Sequence, residues 1–226
     1  MNMYSPLTLT RVAWVPWSWD PDEARAAHQR SMDWALEQAA AAGATPVLRV
    51  HSHAHDWTHR TSSHARYAQV ATVVTDRGRG ARGPTLVPGA HSMGLVAGGM
   101  RCANGFALVV EEHPALPLAG WAAELGAVNL RTGEPAEDHR NPELVERVRA
   151  LASSLYNGWS SLPGSAAAKH RMPELAAAGL TLADFVGTLL AIAPQHVDEK
   201  GMLKWAPAQW KTETETRLAR NTDTAR

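Results

Sequence analysis

Three histidines at alternate positions, His51, His53 and His55, lie in the run H-S-H-A-H-D that ends on Asp56. On an extended chain, side chains two residues apart share a face, so imidazoles at this spacing can converge on one divalent metal ion. A polar, histidine-rich surface loop is the competing reading of the same letters. Further along, Pro88–Gly99 (PGAHSMGLVAGG) offers backbone N–H groups and a helix start to an anion, with Gly89, His91 and Ser92 placed to touch a phosphate. The segment lacks the lysine and Ser/Thr ending of a P-loop and is not G-x-G-x-x-G; its glycines suit close packing of a helix on a sheet equally well. Arg77, Arg79 and Arg82, on a glycine-rich loop, form a compact basic cluster fit for a phosphate or an acidic protein surface, or for solvent alone. Glu111 and Glu112, with Asp76, are the carboxylates placed to act as nucleophile or base. Cys102 carries no nucleophile signature, and the chain has no G-x-S-x-G elbow.

These residues form a set only if regular elements carry them to one edge. A first strand is expected over Leu9–Trp17, limited by Pro16. A helix follows, with Asp20 as N-cap, Pro21 at the first helical position, Glu23 completing a capping box, and Gly43 as C-cap. Met32, Ala35, Leu36 and Ala39 give it an apolar stripe. Short strands are expected at Pro46–Val50, Val70–Thr75 and Thr85–Val87, then a helix from Ser92 to Arg101 and a buried strand at Phe106–Val110. A helix around Leu118–Leu125 and a strand at Ala127–Leu130 complete the pattern.

This alternation predicts a Rossmann-like α/β core over residues 1–133, built on a mostly parallel sheet. In such sheets ligands bind outside the carboxyl ends of the strands. That rule gathers His51, His53, His55, Asp76, Gly89, His91, Glu111, Glu112 and His113 at one edge. Residues 134–142 read as a polar linker, 143–211 as a helical C-terminal extension, and 212–226 as a frayed tail. Within the extension, helices are expected at Leu144–Leu155, Met172–Ala178 and Leu182–Ile192, with turns at Asn157–Gly158, Pro163–Gly164 and Gly179. Helix, Gly179, helix suggests a helix-turn-helix, but the second helix offers Asp184 and no arginine or lysine to a major groove, so a packed appendage is the better reading. Trp205 and Trp210, flanked by Lys204 and Lys211, are placed to anchor this tail to the core or to a protein partner.

Composition narrows the classes. The 226 residues carry 22 basic and 22 acidic side chains, a balance that argues against stand-alone nucleic-acid binding, which phosphate neutralisation drives. A single cysteine rules out an intramolecular disulfide and fits a reducing, cytoplasmic setting. The first residues lack a signal-peptide pattern, and no apolar run approaches the roughly 20 residues of a membrane span. Nine tryptophans against two phenylalanines favour contact surfaces as well as cores.

The metallo-β-lactamase-like pattern H-x-H-x-D-H differs from this chain in the order of His55 and Asp56, and a long capped helix precedes the motif, so that family is set aside. The run A-G-W-A-A-E-L-G-A-V-N-L-R-T-G-E (Ala119–Glu134), with L-Y-N-G-W-S (Leu155–Ser160), resembles a group of uncharacterised actinobacterial and actinophage proteins across the middle and C-terminal parts of the chain. The resemblance implies a Rossmann-like fold and carries over no catalytic residues. By context it is similar to the recombination directionality factors of actinophages, which implies DNA-recombination control through a recombinase or host-factor partner. Three functions therefore stand: a non-enzymatic regulatory protein, the favoured one; a nucleotide- or nucleoside-binding enzyme or sensor at the strand ends; and a histidine-based metallohydrolase.

Overall fold

The computed structural model describes residues 7–51, 65–75 and 80–212. His53, His55, Asp76, Arg77 and Arg79 lie outside them. The chain divides into two compact units that interleave in sequence: residues 1–90, 95–113 and 127–135 form the first, and residues 91–94, 114–126 and 136–226 the second.

The first unit is a six-stranded sheet in the order β3-β2-β4-β5-β1-β6, and its ladders are parallel. In chain order the elements are β1 (Val12–Val15), α1 (Pro21–Ala42), β2 (Val47–Arg49), α2 (Ala65–Val70), β3 (Thr72–Val74), β4 (Thr85–Ala90), α3 (Met93–Cys102, shared between the units), β5 (Leu108–Glu112) and β6 (Val128–Asn129). The α/β sheet with a helical C-terminal extension is thus the observed architecture. Strand side chains alternate between two faces. On one face Ala13, Leu48, Leu86 and Val109 pack with Met32 and Ala35 of α1 and Tyr67 of α2. On the other, α3 crosses so closely that a Cβ at Gly99 would lie 2.3 Å from Val87 Cγ2. Right-handed crossovers account for this division, because β1 to β2 and β2 to β3 run one way across the sheet and the later connections run back.

α1 forms where the caps direct it. The Asp20 carboxylate accepts from the backbone N–H groups of Asp22 and Glu23, Pro21 fills a position that needs no N–H partner, and Gly43 closes the helix at φ 57°. Several boundaries differ from the sequence expectation. The first strand is confined to Val12–Val15. Val70 ends α2 instead of opening β3: the Ala71 N–H bonds Tyr67 O in a last helical turn, so local hydrogen bonding overrides a β-branched preference. β4 runs past Val87 to Ala90, and its register against β5 shifts between those residues. That irregularity accommodates Pro88 and lets Gly89 take φ +48° inside a central strand.

The second unit is helical: α4 (Ala119–Glu124), α5 (Pro142–Ser154), α6 (Leu162–Ala177), α7 (Leu182–Ile192), a 3₁₀ turn at Pro194–His196, and α8 (Glu199–Trp205). α4 and α7 meet at two glycines: a Cβ at Gly187 would stand 2.6 Å from the Trp121 backbone nitrogen, and one at Gly120 would stand 3.3 Å from Asp184 Cα. Arg140 is buried beside them and donates to Thr188 Oγ1 (2.7 Å), Glu124 Oε2 (3.0 Å) and Asp138 Oδ2 (2.7 Å). The turn expected at Pro163–Gly164 is instead the first turn of α6, because Ser161 caps that helix and Pro163 is tolerated there. Consequently α6 spans sixteen residues and carries Pro173 in its interior, where a helix of Met172–Ala178 was expected. Pro142 opens α5 behind the N-cap Asn141, which shortens the irregular stretch before it.

Candidate functional site

β1 and β5 are neighbours, and their outgoing connections leave in opposite directions across the sheet. Where neighbouring connections part in this way, open α/β sheets bind ligands outside the carboxyl ends of the strands. The register sets Val15 opposite Glu111. Two residues further along each chain, the rings of Trp17 and His113 face one another with centroids 5.7 Å apart. Trp19 packs edge-on against Trp17 at 5.5 Å and is 61% exposed, so the β1 end presents an aromatic wall to solvent. The indole N–H of Trp17 is buried and has no acceptor among the described residues.

Behind this wall lies a carboxylate sequestered from water. Glu111 is 1% exposed. The Ser31 hydroxyl donates to its Oε1, and His28 Nδ1 stands 2.9 Å from its Oε2. Burial draws the His28 imidazole down, but its hydrogen bond and charge attraction to Glu111 outweigh that, and it titrates above the ordinary histidine value. The carboxylate is therefore the central member: it holds both the Ser31 hydroxyl and the His28 imidazole, and Ser31 Oγ also lies 2.8 Å from the His28 backbone carbonyl oxygen, an arrangement unlike the serine–histidine–carboxylate order of a serine-nucleophile triad. His28 is about one-third exposed, so a proton held there communicates with solvent. Glu112 points to the opposite face of the sheet, where the Trp14 indole N–H donates to its Oε2 at 2.9 Å.

The residues singled out from sequence separate into several places. Glu111, Glu112 and His113 fall at the β5 end as the strand-end rule requires, and His51 follows β2. Among the described residues no group of three His, Cys, Asp or Glu side chains could hold a metal ion. His91 and Ser92 line a cavity of about 100 Å³ in the second unit, with Leu116, Leu182, Val186 and Met202 as its apolar wall. Trp210, offered above as a partner contact, is buried at 2% exposure. Its indole N–H donates to Leu180 O at 3.1 Å and its ring packs on Phe185, so it anchors the chain within its own unit. Trp205 is half-buried beneath the Lys204 ammonium, 4.9 Å from its ring. Glu124, at the end of α4, is ion-paired with Arg140 and Arg149.

Sequence reasoning missed His28, Ser31 and Trp17. A signal for the first two existed. His28 and Ser31 are three apart and continue the buried face of α1 marked by Met32 and Ala35, so they interrupt an apolar stripe with polar groups. Such groups require polar partners, and Glu111 supplies one. Compared with protein-family models, curated proteins and solved structures, the chain matches none. Among the described residues, no helix is long and apolar enough to cross a membrane.

Proposed function

We propose that the first unit binds a small, planar, hydrogen-bonding ligand of the nucleoside or nucleotide class at the carboxyl ends of β1 and β5. The observation that carries this reading is the Trp17 indole N–H, buried without an acceptor at the crevice. A buried donor costs about 1–3 kcal/mol when unsatisfied, and a ligand acceptor would repay that cost. Three further features support the class. Trp17, Trp19 and His113 form an aromatic surface on which a base can stack. Glu112 places a second carboxylate at the same strand end, where the Trp14 indole N–H donates to its Oε2. The Glu111–His28 pair places an acid–base group behind the wall, with its proton affinity raised.

Calorimetric titration with the common nucleosides and their monophosphates tests the reading. Binding should weaken by about 5- to 150-fold in Trp17→Leu, the equivalent of about 1–3 kcal/mol of base–aromatic stacking. Absence of heat with every member of the set, or binding that Trp17→Leu leaves intact, overturns it. A regulatory role through protein contacts is the second reading, and Leu162 and Tyr156 support it, at 85% and 61% exposed in the second unit. Partner capture that is unchanged in a Tyr156→Ser/Leu162→Ser variant counts against that role.

A further inference from the structure

At the β3 side of the sheet, away from the β1–β5 crevice, a separate cleft of about 280 Å³ opens on the face that α3 covers. Its lining comes from four segments: Arg49 at the end of β2, Val74 of β3 with Thr75 just after it, Gly80 to Arg82 before β4, and Gly98, Arg101 and Cys102 of α3. Three guanidinium-bearing residues therefore share one cleft, and its described lining residues include no carboxylate. Arg49 forms the floor and is 5% exposed. Gly98 makes room for it, since a Cβ there would stand 2.6 Å from Arg49 Nε. Arg82 and Arg101 are exposed at the rim, and neither forms an ion pair with a described residue. The field of the cleft is felt by its thiol: burial pushes Cys102 up, while the charges of Arg49 and Arg101 pull it down.

We infer that this cleft is a binding site for a phosphoryl group, held between the Arg82 and Arg101 guanidinium groups over the Arg49 floor. Planar guanidinium forks match the oxygen spacing of phosphate and bind it through paired hydrogen bonds, which is why arginine suits this role better than lysine. The Thr75 hydroxyl adds a donor from the wall. With water occupying about 30 Å³ in the liquid, the cleft holds several waters' worth of volume, room enough for a phosphate or diphosphate group. The site does not depend on the crevice at β1 and β5. Its ligand is recognised by charge and tetrahedral shape, whereas the crevice reads a planar ring.

Cys102 is the chain's single cysteine, lines the cleft and is buried, so reagent must enter the cleft to reach it and its slow alkylation, compared with and without anion in each protein, reports occupancy. The experiment measures iodoacetamide modification of the full chain at constant ionic strength, with inorganic phosphate, pyrophosphate, a nucleoside diphosphate, the corresponding nucleoside, or chloride. Pyrophosphate is expected to slow alkylation several-fold in a saturable way, and chloride and the nucleoside are expected to leave it unchanged. Protection by the nucleoside diphosphate as well assigns the phosphoryl group of a larger ligand to the site; protection by the inorganic anions alone assigns the free ion. Arg82→Ala/Arg101→Ala changes exposed side chains only, so the fold is retained, and it should weaken protection about tenfold or more. Unchanged alkylation in every phosphoryl-bearing solution, equal protection by chloride, or full protection in the double variant would overturn the inference.

Discussion

Replacing Glu111 with glutamine keeps the shape of the side chain at the β5 end and removes its charge. Glutamine Oε1 can still accept from Ser31, but the hydrogen bond loses its charge assistance, worth about 1 kcal/mol. Relief of carboxylate desolvation offsets part of that loss, so the variant should lie close to the wild type where His28 is neutral. Below that range the two proteins diverge. The wild-type His28 has its proton affinity raised, so it contributes stability in full below the unfolded value near 6.5 and loses that contribution as pH rises through its folded value. In Glu111→Gln only burial remains to act on the imidazole, so its titration moves from above the ordinary value to below it. Its contribution then reverses sign and becomes a cost at acid pH. Since His28 is about one-third exposed, solvent screening limits the lost pair energy to about 1 kcal/mol, or roughly 2–4 °C in melting temperature for a chain of this length. The assay is urea unfolding on both sides of the His28 titration, with the His28 ring resonance assigned by its absence in His28→Gln. A destabilisation that is equal at both pH values, or an unmoved His28 titration, would refute the reasoning.

Three further outcomes follow from the packing. Trp210→Phe should cost about 1–3 kcal/mol because Leu180 O loses its buried donor while the contact with Phe185 is largely kept; equilibrium denaturation checks this. Gly99→Ala should destabilise by about 1–3 kcal/mol through overlap with Val87 Cγ2, and Val87→Ala in the same chain should recover part of the loss, as a double-mutant cycle would show. Asp138 is held below the usual carboxylate range chiefly by its hydrogen bond to Arg140, so it contributes stability above the unfolded carboxylate value and loses it as pH falls through the folded one. In Asp138→Asn, acid unfolding should accordingly lose part of its pH dependence.

The helices were legible where local chemistry sets them. Asp20, Pro21 and Gly43 mark both ends of α1, and those ends are where the structure has them. FALVV (Phe106–Val110) reads as buried strand because β5 has apolar neighbours on both faces, and the observed strand lies two residues further on, at Leu108–Glu112. Boundaries failed where long-range pairing or capping decided them: Val70 joined a helix, β4 passed through Pro88–Gly89 by a register shift, and Ser161 turned an expected break into the start of α6. Half of the crevice was visible for a related reason. Glu111, Glu112 and His113 belong to one strand end, which a topology rule can locate. Trp17, His28 and Ser31 reach the same place from β1 and α1, and their meeting depends on strand order and register, which a single sequence does not encode in any local pattern.

The most direct test of binding at the β1 and β5 ends is the indole N–H spectrum of tryptophan-labelled protein, with the Trp17 and Trp19 signals assigned from Trp17→Phe and Trp19→Phe. Addition of the tightest-binding nucleoside or nucleotide should shift the Trp17 signal most and the Trp19 signal next. Trp159, whose N–H already donates to His196 O at 2.8 Å, and Trp210, bonded to Leu180 O, should stay in place. A ligand that moves Trp159 or Trp210 while Trp17 stands still would contradict the account.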